Sequence, residues 1–433
     1  MRWIKSRSIL QTTMVLCIGL LIAGSVDTEA AQWGGYFDDT GGLLSVMNSD
    51  IPMHPEETIK TEELWRVGGD DDDEGELMGF VTDVIVDDEG ISYLLDATLN
   101  TIHVFGPDGT LLRDIGRAGE GPGEFSNARQ FIHLPNNNLG VIQMMPGQIV
   151  TLGLDGVPGT PFKLNGGGGG MSFIQNAGSS NHGVVVGQVA THFNETAMSS
   201  SHSLAVYDSE GKALHAILEK DEKMEGGSFS IGGGENQFTS RWSVGNDGRV
   251  YVAQYENEYK IEVFDAKGKA DRVIFREYSS LKRSSEDIAE DEERNAELAT
   301  RFGGAQMDIE VAQFERDIGT MHPRQNGQLW VSTSRGNHNR PIGAVGVFDE
   351  FDAEGKFVRQ VSIEAEYDPE RDNYVLQGDH LFILKEGQKQ PETTSTSGGG
   401  GMRMIMISSG GSTDDEEEDE GLPPGVVCYK LVR

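Results

Sequence analysis

Three arginines open the chemical reading of this chain. Arg129 and Arg241 follow matching Gly-rich phrases, GEGPGEF and GGGENQF, and Arg324 stands near the third such strand start. Three guanidinium groups brought to one mouth could grip a carboxylate or phosphate through paired hydrogen bonds. They could equally each pair with a nearby carboxylate and fix a loop. His322 lies two residues before Arg324, and His338 lies on a following loop, the pair a channel metal would need. The runs Asp70–Glu74 and Asp414–Glu420 supply hard oxygen ligands. Asp70, Asp71, Asp72 and Asp73 are the Ca²⁺ candidates, with a solvated charge run as the plainer reading. His182, His192 and His202 lack ligand spacing, and no H-E-x-x-H, Walker sequence, nucleophile elbow or C-x-x-C is present. Gly166–Gly170 lacks the Lys-Ser/Thr of a phosphate loop and reads as a connection.

What must position these side chains is a repeat. Residues 81–115 read VTDVIVDDEG, ISYLLDATLN, TIHVFGPDG, TLLRDIG: four short β-branched runs closed by turn signals. The phrase returns over 238–278 and 318–364, with an aromatic in the second strand (Tyr93, Tyr251, Trp330) and Val-Phe closing the third. Weaker copies occupy 130–164 and 171–220, and 372–385 opens a last one. Six four-stranded sheets, none able to bury both faces alone, predict an all-β six-bladed β-propeller. The last unit has three strands, 372–377, 380–385 and 425–431. Residues 62–67 are the strand expected to complete it and close the ring. Strand alternation puts tight turns on one face and long connections on the other, where binding chemistry is expected. The connection 281–319 reads as a helical insertion, capped by Ser284 or Ser285, with Met307, Val311, Phe314 and Ile318 at helical spacing. Residues 386–424, Gly-rich and then acidic, read as a disordered insertion.

The stretch IGRAGEGPGEFSNARQ, placed after Asp96, Asn100, Ile102, Val104, Phe105, Asp108 and Gly109, resembles the bacterial six-bladed propellers related to NHL repeats. That resemblance implies a protein, peptide or nucleic-acid binder, with metal-dependent lyases and lactonases among its relatives. The expected function is a ligand- or protein-binding module working through the long-loop face, ahead of an enzyme. The alternative is a metal-dependent hydrolase or lyase with its site at the central channel.

Composition sets the partners. The 433 residues hold 35 Lys+Arg against 70 Asp+Glu, a net charge of −35. Such a surface repels polyanions, so nucleic acid is excluded as a general partner. The expected partner is a small anionic ligand or a protein, and the chain is expected to be a monomer with no cofactor beyond Ca²⁺. Arg2, Lys5 and Arg7 precede the apolar run Met14–Gly24 and Thr28-Glu29-Ala30, which reads as a signal peptide over 1–30. A linker over 31–59 and the propeller over 60–433 would follow, with no membrane span once the leader is removed. Only Cys428 lies beyond the leader. Export without disulfides points to a secreted or periplasmic place in a bacterial envelope.

Overall fold

The computed structural model describes residues 32–69, 78–160, 162, 164, 171–193, 198–224, 237–301, 311–386 and 424–433. The expected leader, the Asp70–Asp73 run, Gly166–Gly170, Met307 and most of 386–424 lie outside these residues.

The architecture is mostly β and propeller-like. Three strands come first: β1 (Tyr36–Asp38), β2 (Leu44–Asn48) and β3 (Glu57–Gly68). A first unit follows as β4 (Val81–Val86), β5 (Ser92–Asp96), β6 (Thr101–Phe105) and β7 (Leu111–Ile115). The second holds β8 (Ala128–His133), β9 (Asn138–Gln143) and β10 (Gln148–Gly153). The third is longer: β11 (Met171–Ser180), β12 (Gly183–Phe193), β13 (Met198–Tyr207) and β14 (Ala213–Met224). The fourth is β15 (Trp242–Val244), β16 (Val250–Val252), β17 (Lys260–Phe264) and β18 (Ala270–Arg276). After α1 (Ser285–Arg301) comes β19 (Ile318–Pro323) and β20 (Leu329–Thr333), then α2 (Ser334–His338), β21 (Ala344–Phe351) and β22 (Phe357–Glu364). The last unit is β23 (Asn373–Gln377), β24 (His380–Lys385) and β25 (Gly425–Val432).

The sheets depart from six equal four-stranded blades. β2 adds in parallel to the edge of β18 and carries β1 with it, giving six strands. β3 pairs in parallel with β22 over Glu57–Ile59 and antiparallel with β25 over Lys60–Gly68, joining two units into one eight-stranded sheet. The strand ahead of the first unit therefore completes the last one, as its sequence position predicts. Its Trp65 is buried between Phe105 of the first unit, 5.7 Å away by ring centroids, and Phe382 of the last, at 5.9 Å. Gly109 can only be glycine there: its φ is +78° and an added Cβ would meet Trp65 at 2.6 Å.

Two sequence expectations are corrected. Residues 36–48, read as linker, form β1 and β2. Asn48 pins them: its amide donates to Phe275 O (2.9 Å) and Gly355 O (3.0 Å), and its Oδ1 accepts from Trp33 Nε1 (2.9 Å) and Phe357 N (2.8 Å). The helix in 281–319 is real over Ser285–Arg301, with Ser284 Oγ capping Asp287 N at 3.0 Å. The apolar spacing after it is not helical. Phe314 bridges Lys282 as an extended pair and Ile318 opens β19.

One end of the units is built from repeated turns. D-x-x-G at Asp87, Asp208, Asp265 and Asp352, and G-x-D-G at Gly106, Gly153 and Gly245, each close with the last Gly donating to the first carbonyl. In all seven an Asp Oδ1 accepts the N–H two residues on, from 2.9 to 3.1 Å. Part of the chain's acidity is thus spent as turn chemistry.

Candidate functional site

The first strands of successive units pack side by side: β4 on β8, β8 on β11, β11 on β15, β15 on β19, and β23 on β4. His322 of β19 and Tyr374 of β23, with ring centroids 6.5 Å apart, supply the remaining link. Four of these strands carry an irregularity near the connection end, where one strand spends an extra residue against its partner. The residues left over are Thr82, Arg129, Gln175 and one of Gly319-Thr320; all but Thr82 are exposed. A bulge re-aims side chains out of the ladder.

The residue that follows the bulge in β4, β8 and β11 reaches sideways, and Arg241 and Thr320 do the same in the next units. Asp83 accepts from Phe131 N of β8 at 3.1 Å and from Val84 N at 2.9 Å. Gln130 donates to Asn176 Oδ1 (3.0 Å) and Ala177 O (2.9 Å), and accepts from Ala177 N (3.2 Å). Asn176 donates to Trp242 O at 3.3 Å. Arg241 donates to Ile318 O (2.6 Å) and Tyr255 O (2.8 Å). Thr320 Oγ1 lies 2.9 Å from both His322 Nε2 and Ser332 Oγ, and bonds the side chain of Tyr374. A polar belt thus runs from unit to unit at the connection end.

This geometry sorts the residues that sequence selected. Arg241 is a strut of the belt, bound to two carbonyls; burial, with Arg316 beside it, lowers its guanidinium to about 10. Arg324 is not with the other two. It follows the end of β19, at the tight-turn end, and stacks on Trp330 at 4.2 Å. The three-arginine cluster expected from sequence is therefore corrected: the strand was entered from the wrong end. Arg129 alone is uncommitted, exposed and without a side-chain hydrogen bond or ion pair among the described residues. His322 packs edge-on against Phe348, and burial, with Arg324 nearby, holds its imidazole neutral at about 4. His338 pairs with Glu315 at 2.7 Å instead of joining His322. Among the described residues no three His, Cys, Asp or Glu side chains gather as a metal centre needs.

Sequence reasoning missed Asp83. Its carboxyl is half-buried by accessible surface yet set deep in the ring, and burial pushes it up to about 7 against the pull of its two N–H donors. The signal was a Thr-Asp pair interrupting an apolar strand start. A fully buried carboxylate, Asp349, is by contrast satisfied: Tyr259 Oη (2.9 Å), Gln360 Nε2 (3.0 Å) and Arg276 (2.5 Å) all donate to it, so it is a strut between units. Ser200 Oγ lies 3.1 Å from His202 Nε2, but Glu222 sits on that same nitrogen at 3.7 Å and Nδ1 has no partner. A nucleophile's triad needs the acid on the opposite nitrogen.

Residues 76–160 match the DUF5128 family, described as a 6-bladed beta-propeller. No curated protein matches the sequence. Similar solved structures include a protein described as exported from Bacteroides fragilis (12% identity, 87% of this chain, 100% of that one, TM-score 0.41). A DUF4221-family member from Bacteroides vulgatus is similar at 9% identity (87% and 99% covered, TM-score 0.43). Virginiamycin B lyase from Staphylococcus aureus is similar at 8% (85% and 99% covered, TM-score 0.39). The likeness is to a β-propeller-like fold spread over several distant families, broader than the NHL group. Against the expectation that set a binding module ahead of an enzyme, a lyase stands among these neighbours.

Proposed function

We propose that this is an exported six-bladed propeller, closed by β3, that binds a small anionic ligand at the connection end of its first strands and acts on it by proton transfer, as a hydrolase or lyase would. The observation that carries the reading is the juxtaposition of Asp83 and Arg129. Asp83 is held by Phe131 N, and Arg129 stands two residues earlier on that same strand, roughly 7 Å along it. An uncommitted guanidinium can hold an anion. A carboxyl poised near neutral pH can take or give a proton beside it. Arg241 is a strut and Arg324 stacks at the other end of its unit, so the anion site reduces to Arg129. Export rests on the leader-like residues 1–30.

The test is calorimetric titration of purified protein with sulfate and with oxalate between pH 5.5 and 8.5. Binding should tighten as pH falls through about 7, because Asp83 then loses the charge that repels the anion. Asp83→Asn should flatten that dependence, and Arg129→Ala should weaken binding at least about tenfold, or 1.4 kcal/mol. Equal affinity in Arg129→Ala would sink the proposal.

A further inference from the structure

We propose a second binding site, independent of the Arg129 mouth: a trough on the third unit that takes a short neutral oligosaccharide. Strands β11–β14 are 10 to 12 residues long, whereas the strands of the first and second units have five or six. The added length carries the sheet past the core toward the connection end and leaves one face uncovered among the described residues. There a cavity of about 480 Å³ opens along β12, β13 and β14, inside the roughly 300–1,000 Å³ range of small-molecule sites.

The trough lies on the side facing the second unit, since Ala205 and Tyr207 at its deep end pack with Phe162 and Ile149. Among the described residues the second unit's sheet has three strands, its outer edge met by single bridges at Pro158 and Phe162. From Ser201 to Tyr207 the trough follows about 20 Å of strand, enough for several sugar rings in line.

Its chemistry selects the ligand. The floor is made of small side chains, Ala190, Ser203, Ala205 and Ala216, which leave room and offer apolar patches to ring C–H faces. The walls mix donors and acceptors: Gln188 and His192 on one side, Glu219 and Asp221 on the other. Sugar hydroxyls both donate and accept, so they match such a wall, where a purely accepting anion would meet two carboxylates. Lys220 does not offset them, being 3.5 Å from Glu222. His202 and His215 lie in the same strands, but their pairing with Val189 and Val206 turns their rings to the opposite face of the sheet, away from the ligand. Among the described residues no three His, Cys, Asp or Glu side chains gather there as a metal centre needs.

The experiment titrates full-length mature protein with neutral tetrasaccharides of glucose, mannose, xylose and N-acetylglucosamine, and separately with pentalysine. At least one sugar should bind with Kd below about 5 mM. Ser203→Trp, which fills the floor, should weaken it at least tenfold, while Arg129→Ala leaves it unchanged. If Ser203→Trp does not fold, the exposed double variant Glu219→Ala/Asp221→Ala carries the same expectation. No sugar bound at about 5 mM, a bound sugar indifferent to these variants, or pentalysine competing for the trough in place of a sugar would each overturn the assignment. Loss of sugar binding in Arg129→Ala would overturn it too, by placing the ligand at the other mouth.

Discussion

The two ends of the units solve the same problem in opposite ways. At the turn end, seven tight turns repeat one device: an Asp oxygen on an N–H two residues ahead and a glycine at positive φ. At the connection end every unit uses a different polar residue: Asp83, Gln130, Asn176, Arg241, Thr320, Tyr374. Repetition marks residues chosen for folding, since each turn needs the same hydrogen bonds. Variation on a repeated frame marks the end free to acquire chemistry. Asp83 stands out there because burial poises its carboxyl near neutral pH, and the exposed Arg129 lies two residues from its partner Phe131.

The largest expected effect breaks the frame that both ends share. Deleting residues 60–67 removes the pairing of β3 with β25 and takes Trp65 from between the first and last units. Cooperative unfolding should be lost, read by far-UV circular dichroism on heating; an unchanged unfolding temperature would falsify closure by β3.

Next comes Asn48→Ala. Asn48 is 3% exposed and ties the N-terminal strands to Phe275, Gly355 and Phe357. Removing it strands several buried partners, each costing about 1–3 kcal/mol but not additively, for a total near 3–4 kcal/mol. A urea midpoint within error of wild type would show that the strap adds nothing to the turn end it covers.

At the connection end the sharper probe is pH. Asp83 has its folded value raised, to about 7, so the folded state binds the extra proton and stability falls as pH rises from about 4 to 7. Taking the carboxyl's neutral form as the favoured one, the loss is of order 3 kcal/mol. His322 is lowered to about 4, so its contribution is lost as pH falls from about 6.5 to 4. The two slopes oppose between pH 4 and 6.5 and partly cancel in the native protein. Asp83→Asn should unmask an acid-side loss of stability, and His322→Phe a loss on raising pH. Parallel stability curves for both variants and wild type would remove the distinction between the ends.

How much of this was legible follows from how local each feature is. The turns were readable because Asp, Gly and their bonds lie within four or five residues. The β3 closure was readable because a three-stranded last unit calls for a fourth strand. The β2 strap was not, because parallel pairing across more than 220 residues, as between Leu44 and Arg272, leaves no local trace. Phe314 and Ile318 matched a helical period by chance within an extended stretch. Arg324 was misplaced because a six-residue strand reads alike from either end. Asp83 was hidden by abundance: among 70 acidic residues one carboxylate carries no signal until its burial is known.

The smallest effect tests whether the turn end is only scaffold. Asp208 Oδ1 accepts from Glu210 N at 3.0 Å and Lys212 N at 2.9 Å; Asp87 Oδ1 does the same for Glu89 N and Ile91 N, both at 2.9 Å. Each Asp→Ala change should cost about 1 kcal/mol, since solvent can replace part of what is lost. The turns belong to the third and first units and share no partner, so the double variant should cost the sum to within about 0.5 kcal/mol. Sulfate binding at the far end should not change in any of the three. Coupling well beyond that margin, or a shifted sulfate affinity, would mean that the repeated turns transmit to the site, and the division of labour between the ends would have to be given up.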